Sequence, residues 1–210
     1  MTPHDSRSKG APRTPRNLAV LVSGSGRSLA NLLSCIEAGE LEASIQLVIS
    51  DRDGIRALDI AREAGIATRI CKPQRGPGDR QQRQAKFADE VFGACLEHDI
   101  HLVVLAGFLR LLPVPPAWRG RVINIHPSLL PKFGGRGFYG DRVHRAVLQA
   151  GEPTTGCTVH FVDDTYDTGA PILTREIAVH REDTSESLAA RVFEEECLAL
   201  PEAIRRVLAR

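Results

Sequence analysis

Asn124, His126 and Ser128 put an amide, an imidazole and a hydroxyl at alternate positions, after the apolar run 122–125 and beside Pro127 and Pro131. An imidazole exchanges a proton near neutral pH, and a neighbouring amide N–H₂ donates to an oxyanion as it forms. A lone histidine by an apolar strand is more commonly a satisfied structural group. Here it lies with Asn124 where a buried strand ends, and open α/β sheets bind ligands outside the carboxyl ends of their strands. Side chains two apart leave one face of an extended chain, so Asn124 and His126 are read as partners. Ser128, between two prolines, suits a turn.

Further polar candidates are scattered along the chain. Gly24, Ser25, Gly26, Arg27 and Ser28 form a Gly-rich turn between an apolar run and a helical pattern. The free N–H groups and dipole of such a helix start favour an anion, phosphate above all, although a plain tight turn fits as well. No Gly-Lys-Ser/Thr follows, and Leu29 stands where a dinucleotide fingerprint needs its third glycine. Asp163, Asp164 and Asp167 follow a β run containing His160; each reads first as a turn former, and His160 as buried and hydrogen-bonded. Glu196 falls on the apolar stripe of Val192 and Phe193, where a carboxylate is costly unless it meets a partner or a ligand. No histidine pair has metal-site spacing and no Gly-x-Ser-x-Gly elbow occurs, so neither a metal centre nor a serine hydrolase is expected.

The elements needed to hold these groups alternate. Apolar runs at 17–22, 45–49, 66–71, 102–106 and 122–125 read as strands, separated by helical patterns ending near Gly39, Gly65 and His98. That rhythm predicts right-handed βαβ crossovers, hence a Rossmann-like, doubly wound α/β fold with a mostly parallel sheet. After a Gly-rich run, 134–140, and a helix over 143–149, β runs at 157–162 and 171–179 predict an antiparallel C-terminal portion. Residues 183–186 cap a last helix, which Pro201 is expected to kink or restart.

With 210 residues, 42% hydrophobic and a net charge of +1, the chain suits one globular domain over 17–210 and has no general field for nucleic acid or membrane. Residues 1–16 read as a disordered tail. Five cysteines, none in Cys-x-x-Cys spacing, fit a reducing compartment. With no long apolar run or signal peptide, the expected location is cytoplasmic.

Three stretches, 124–131 (Asn-Ile-His-Pro-Ser-Leu-Leu-Pro), 105–110 (Leu-Ala-Gly-Phe-Leu-Arg) and 160–169 (His-Phe-Val through Asp-Thr-Gly), resemble the folate-dependent formyltransferases. The glycine loop is similar to the phosphate loop of the branch that formylates glycinamide ribonucleotide in purine synthesis. The resemblance implies a catalytic trio of Asn124, His126 and Asp167, with Asp167 raising the pKa of His126. It implies phosphate binding by Gly24 to Ser28, and contacts from Glu196 and Gly107 to the amine and ribose of the acceptor. Arg110, Leu111, Leu112, Val162, Asp163 and Asp164 would meet the folate. The formyl donor would be 10-formyltetrahydrofolate and the acceptor glycinamide ribonucleotide, with no metal, nucleic acid or membrane partner and a monomer or homodimer as the working form. Relatives often carry Asn or Ser where Arg27 and Ser28 stand, and the 134–140 run is longer than in some. A formyltetrahydrofolate deformylase is the alternative, expected to carry a regulatory domain before the catalytic one. Methionyl-tRNA formyltransferase is expected to add a C-terminal nucleic-acid-binding domain. A folate- or nucleotide-binding module without turnover is the non-enzymatic alternative.

Overall fold

The computed structural model describes residues 15–73, 76 and 79–210. The tail expected at 1–16 lies outside the described residues up to position 14, and Arg16 already belongs to the first strand. A seven-stranded sheet has the order β3-β2-β1-β4-β5-β6-β7. Its strands are β1 (Arg16–Val22), β2 (Ala43–Ser50), β3 (Ala67–Ile70), β4 (Leu102–Leu105), β5 (Val122–His126), β6 (Thr154–Phe161) and β7 (Pro171–Ala178). The first five are parallel and the last two antiparallel, as expected.

Helices α1 (Arg27–Glu37), α2 (Arg56–Glu63), α4 (Asp141–Ala150) and α5 (Ser185–Leu208) contribute apolar side chains to the core on one face. Helix α3 (Arg80–Glu97) covers the other, with Trp118 and Phe108 packed beside Phe92 and Phe87. Coverage of both faces explains why β1 and β4 read as unbroken apolar runs. No helix of the described residues is long and apolar enough to cross a membrane.

Helix α5 does not restart at Pro201. It runs through Pro201, which is buried, without ending there. Proline removes the N–H that would meet the Cys197 carbonyl four residues back. That carbonyl instead accepts from Asn31 Nδ2 of α1 at 2.9 Å, so the lost bond is replaced across the helix pair. The start of α5 is the expected cap, made by Thr184 and Ser187 reciprocally.

The order of strands reverses direction between β1 and β4, which is the switch point where such sheets bind ligands. There the ends of β1 and β4 are tied together. Ser23 N donates to the Gly107 carbonyl at 3.1 Å, and Leu109 N donates to Ser23 Oγ at 3.0 Å.

Candidate active site

A cleft of about 1580 Å³ opens over this switch point. It exceeds the roughly 300–1000 Å³ of a pocket for one small ligand. Its walls include Gly24 to Ser28, Gly107, Arg110, Leu111, Asn124, His126, Asp167 and Glu196, residues drawn from five segments of the chain.

Strand β5 delivers Asn124 and His126 to one face, and antiparallel pairing sets His160 of β6 opposite Asn124. His160 Nδ1–H donates to the Phe161 carbonyl at 2.7 Å. Its Nε2 therefore accepts from Asn124 Nδ2, 3.0 Å away. The same amide nitrogen donates to Asp167 Oδ1 at 3.3 Å. His160 is buried as expected, but it also orients the catalytic candidate Asn124. His126 Nε2 lies 2.8 Å from the Phe133 carbonyl, which can only accept, so Nε2 carries the proton and Nδ1 faces Asp167 Oδ2 at 3.6 Å.

Asp167 reaches this group because the chain folds back tightly. A Cβ on Gly169 would lie 1.8 Å from the Phe161 carbonyl oxygen, so only glycine permits the approach. Gly135 N donates to Asp167 Oδ2 at 2.8 Å, and a Cβ on Gly134 would meet Leu130 at 2.5 Å. Phe133 and Asp167 themselves have φ of 54° and 56°, a conformation that costs on the order of 1 kcal/mol or more for such residues. Both strained residues contact His126, consistent with strain collected at a working site.

Burial outweighs Asp167 at His126, although Asp167 does raise the His126 pKa as expected. Burial pushes the His126 pKa down; the Asp167 charge and the Phe133 bond pull it up but do not win, and the net direction is below the ordinary histidine value. Burial also opposes the charge on Asp167. Contacts with His160, His126 and Gly135 N–H outweigh it and hold that carboxyl below its usual range. The resting pair is therefore a neutral imidazole beside a carboxylate at neutral pH.

At one end of the cleft, Gly26 starts α1 in the left-handed conformation with φ 78°. No side chain caps the helix and no acid lies in its first turn, which leaves its N–H groups to a ligand. A Cβ on Gly26 would come within 2.7 Å of Ala57 Cα, so α2 presses directly on the loop. Arg27 lies 3.6 Å over the Phe193 ring of α5. Glu196, one turn further along, is half-buried in the wall, and burial raises its pKa to about 7 against a weaker opposing influence of Arg27.

The folate expectations divide. Arg110 and Leu111 line the cleft. Leu112 does not line the cleft: it is 1% exposed and its side chain packs in the core on the α3 side. Val162, Asp163 and Asp164 lie outside the main cleft. They line a separate crevice of about 280 Å³ with Arg119 and Gly169. Asp163 accepts from Thr165 N and Thr168 Oγ1, which makes it the turn former that its sequence context suggests.

Two residues, His144 and Asp51, escaped the sequence reading. His144 of α4 is 95% out of solvent, lines the cleft and leaves Nδ1 without a hydrogen bond. Its place on the apolar stripe of Val143 and Val147 was the available signal. Asp51 and Ser23, at the ends of β2 and β1, are buried polar groups beside the cleft, and each ends an apolar run. Ser128 serves the turn, donating to the Lys132 carbonyl at 2.6 Å.

Residues 16–204 match the formyl transferase family. The chain is 39% identical over 194 residues to the trifunctional purine biosynthetic protein adenosine-3 of Gallus gallus, covering 90% of this chain and 18% of that protein. It is 36% identical over 192 residues to the chloroplastic phosphoribosylglycinamide formyltransferase of Arabidopsis thaliana, covering 89% of this chain and 64% of the plant enzyme. It thus spans less than two thirds of either relative. Among solved structures, the phosphoribosylglycinamide formyltransferase of Bacillus halodurans superposes with a TM-score of 0.81 at 30% identity, over 93% of this chain and 96% of that one. Glycinamide ribonucleotide transformylase 1 of Symbiobacterium toebii superposes with a TM-score of 0.80 at 35% identity, over 94% and 90%. With a family match across nearly the whole sheet and a cleft built on its switch point, this chain belongs to the formyl transferase family.

Proposed function

We propose that this chain transfers the formyl group of 10-formyltetrahydrofolate to the primary amine of glycinamide ribonucleotide, a step of de novo purine synthesis. One observation carries the reading. A single cleft holds an uncapped helix start suited to a phosphate, a wall with Arg110 and Leu111 suited to a folate, and Asn124, His126 and Asp167. The names of the relatives point the same way.

In this mechanism the α1 start takes the ribose phosphate and Glu196 meets the amine or ribose side of the acceptor. The acceptor nitrogen attacks the formyl carbon, and the carbon–oxygen π pair moves onto oxygen. Asn124 Nδ2 exchanges its long 3.3 Å bond to Asp167 for the developing oxyanion, while His160 keeps the amide oriented. Negative charge in the cleft lowers the cost of a second proton on His126, taken from solvent and returned when the oxyanion collapses, and this proton adds positive charge beside the oxyanion. The attacking nitrogen becomes cationic and strongly acidic, so even a carboxylate of low pKa accepts its proton. Asp167 passes that proton to N10 as the oxyanion pair re-forms the carbonyl and the carbon–N10 bond breaks, releasing tetrahydrofolate and the formylated amide. Holding both reactants together lowers the entropic part of the barrier.

The test mixes purified protein with 10-formyltetrahydrofolate and follows folate release with and without glycinamide ribonucleotide. Release that depends on the ribonucleotide is expected; release to water alone would show a deformylase, and binding without release a module that does not turn over. Asn124→Ala and His126→Ala are each expected to lose roughly a hundredfold or more in kcat, about 3 kcal/mol for one lost stabilising group. Near-normal turnover in both folded variants refutes the assignment.

A further inference from the structure

Asp51 is a charged side chain with no exposed surface, placed where β2 ends. Arg110 Nε donates to its Oδ2 at 2.7 Å. Arg52 grips both carboxylate oxygens, Nε to Oδ1 and Nη2 to Oδ2, each at 3.1 Å. The Ser23 hydroxyl, which already accepts from Leu109 N, is a further hydrogen-bond partner of the carboxylate. Burial disfavours the charge on Asp51, and the bonds from Arg52, Ser23 and Arg110 overcome it, leaving the pKa below the ordinary carboxylate value. Ser50 Oγ clamps the turn, donating to the Arg52 carbonyl at 2.6 Å and accepting from Arg52 N at 3.1 Å.

Both guanidiniums remain partly open, 39% for the Arg110 side chain and 44% for Arg52, and both line the cleft. The carboxylate occupies only Nε of Arg110, so the outer end of that guanidinium is turned away from it. A buried ion pair is a poor source of net stability, because desolvation consumes most of the attraction. What this one supplies is aim: two flexible cationic side chains are held by one rigid anchor at the strand ends. Arginine is suited to that arrangement because its planar fork can bind an anchor on one edge and a ligand on another.

We infer that Asp51 is a positioning residue that aims Arg110, with Arg52 beside it, at the donor end of the cleft. This rests on the reading that the folate donor lies against Arg110. Asp51 itself touches no reacting atom. Asp51→Asn keeps the shape and one acceptor oxygen but removes the charge that fixes both arginines.

The experiment compares wild type, Asp51→Asn, Arg110→Ala and the double variant, with KM for 10-formyltetrahydrofolate and for glycinamide ribonucleotide, kcat, and direct calorimetric binding of tetrahydrofolate. Asp51→Asn is expected to raise the donor KM and the tetrahydrofolate Kd roughly tenfold, in line with a weakened charge-assisted hydrogen bond. The acceptor KM and kcat are expected within twofold of wild type. In the Arg110→Ala background the Asp51 change is expected to add little, since its effect runs through Arg110. An unchanged donor KM and Kd in Asp51→Asn overturns the proposal, as does an equal rise in both KM values, or full additivity with Arg110→Ala. If Asp51→Asn fails to fold, Ser23→Ala replaces it as the variant that loosens the same anchor, with a smaller rise in donor KM expected and no rise counting against the proposal. Failure of the underlying reading looks different: Arg110→Ala would then leave tetrahydrofolate binding unchanged.

Discussion

Glu196→Gln removes a charge while keeping the shape of a residue that the fold holds at some expense. Burial raises its carboxyl from the ordinary value of 4.5 to about 7. A shift of that size corresponds to about 3 kcal/mol of disfavour for the ionised form in the folded state. The side chain keeps part of its surface open to the cleft, so about 2 kcal/mol is the working figure, with the larger value as an upper bound. The sign follows from proton binding. Between pH 4.5 and about 7 the native state holds a proton that the unfolded chain has released, so stability falls as pH rises through that window and is level above it. Glutamine has no such dependence. The variant is therefore expected to match wild type near pH 4.5 and to exceed it by about 2 kcal/mol at pH 8, a rise in Tm of roughly 4–8 °C for a domain of this size. Urea unfolding at a series of pH values measures the difference directly. The functional counterpart is a weaker interaction with the acceptor above pH 7, seen as a raised KM for glycinamide ribonucleotide, because stability is gained by deleting a group that the ligand uses. Equal stability of the two proteins at pH 8 and at pH 5 would refute the reasoning, since it would mean that Arg27 or solvent already compensates the carboxylate.

Two further outcomes are expected. The His126 imidazole, followed by NMR in ¹⁵N-labelled protein, should titrate with a midpoint below the ordinary value of 6.5, and Asp167→Asn should move it lower still, because Asp167 is the largest influence raising it; a midpoint above 6.5 in wild type contradicts the dominance of burial. Asn31→Ala should cost about 1 kcal/mol of stability by stranding the Cys197 carbonyl, and much of that loss should return in Asn31→Ala with Pro201→Ala, where the helix regains its own N–H.

Fold class was legible because its signals are local. Alternating apolar runs and helical stripes specify the parallel sheet, and two β runs after residue 150 specify its antiparallel edge. The uncapped Gly-rich turn and the pair Asn124 and His126 were legible for the same reason: a strand's end and its two-residue period are properties of short segments. The misread parts depend on partners distant in sequence. Pro201 reads as a break until Asn31, 166 residues from Cys197, supplies the missing donor. Leu112 and the 162–164 segment share the neighbourhood of cleft residues, but their tertiary packing places them in the core and in a separate crevice.

The sequence by itself determined which strand would carry the polar pair, which loop could hold an anion and that Glu196 would sit on an apolar stripe. Those follow from periodicity and backbone chemistry, which act over a few residues. Tertiary structure alone decided the charge state of His126, where burial outweighs Asp167, and the tie between His160 and Asn124, which needs β6 in register with β5. It likewise decided that Asp51 would hold Arg110. Desolvation and hydrogen-bond geometry depend on every atom packed around a group, and most of those atoms come from elsewhere in the chain.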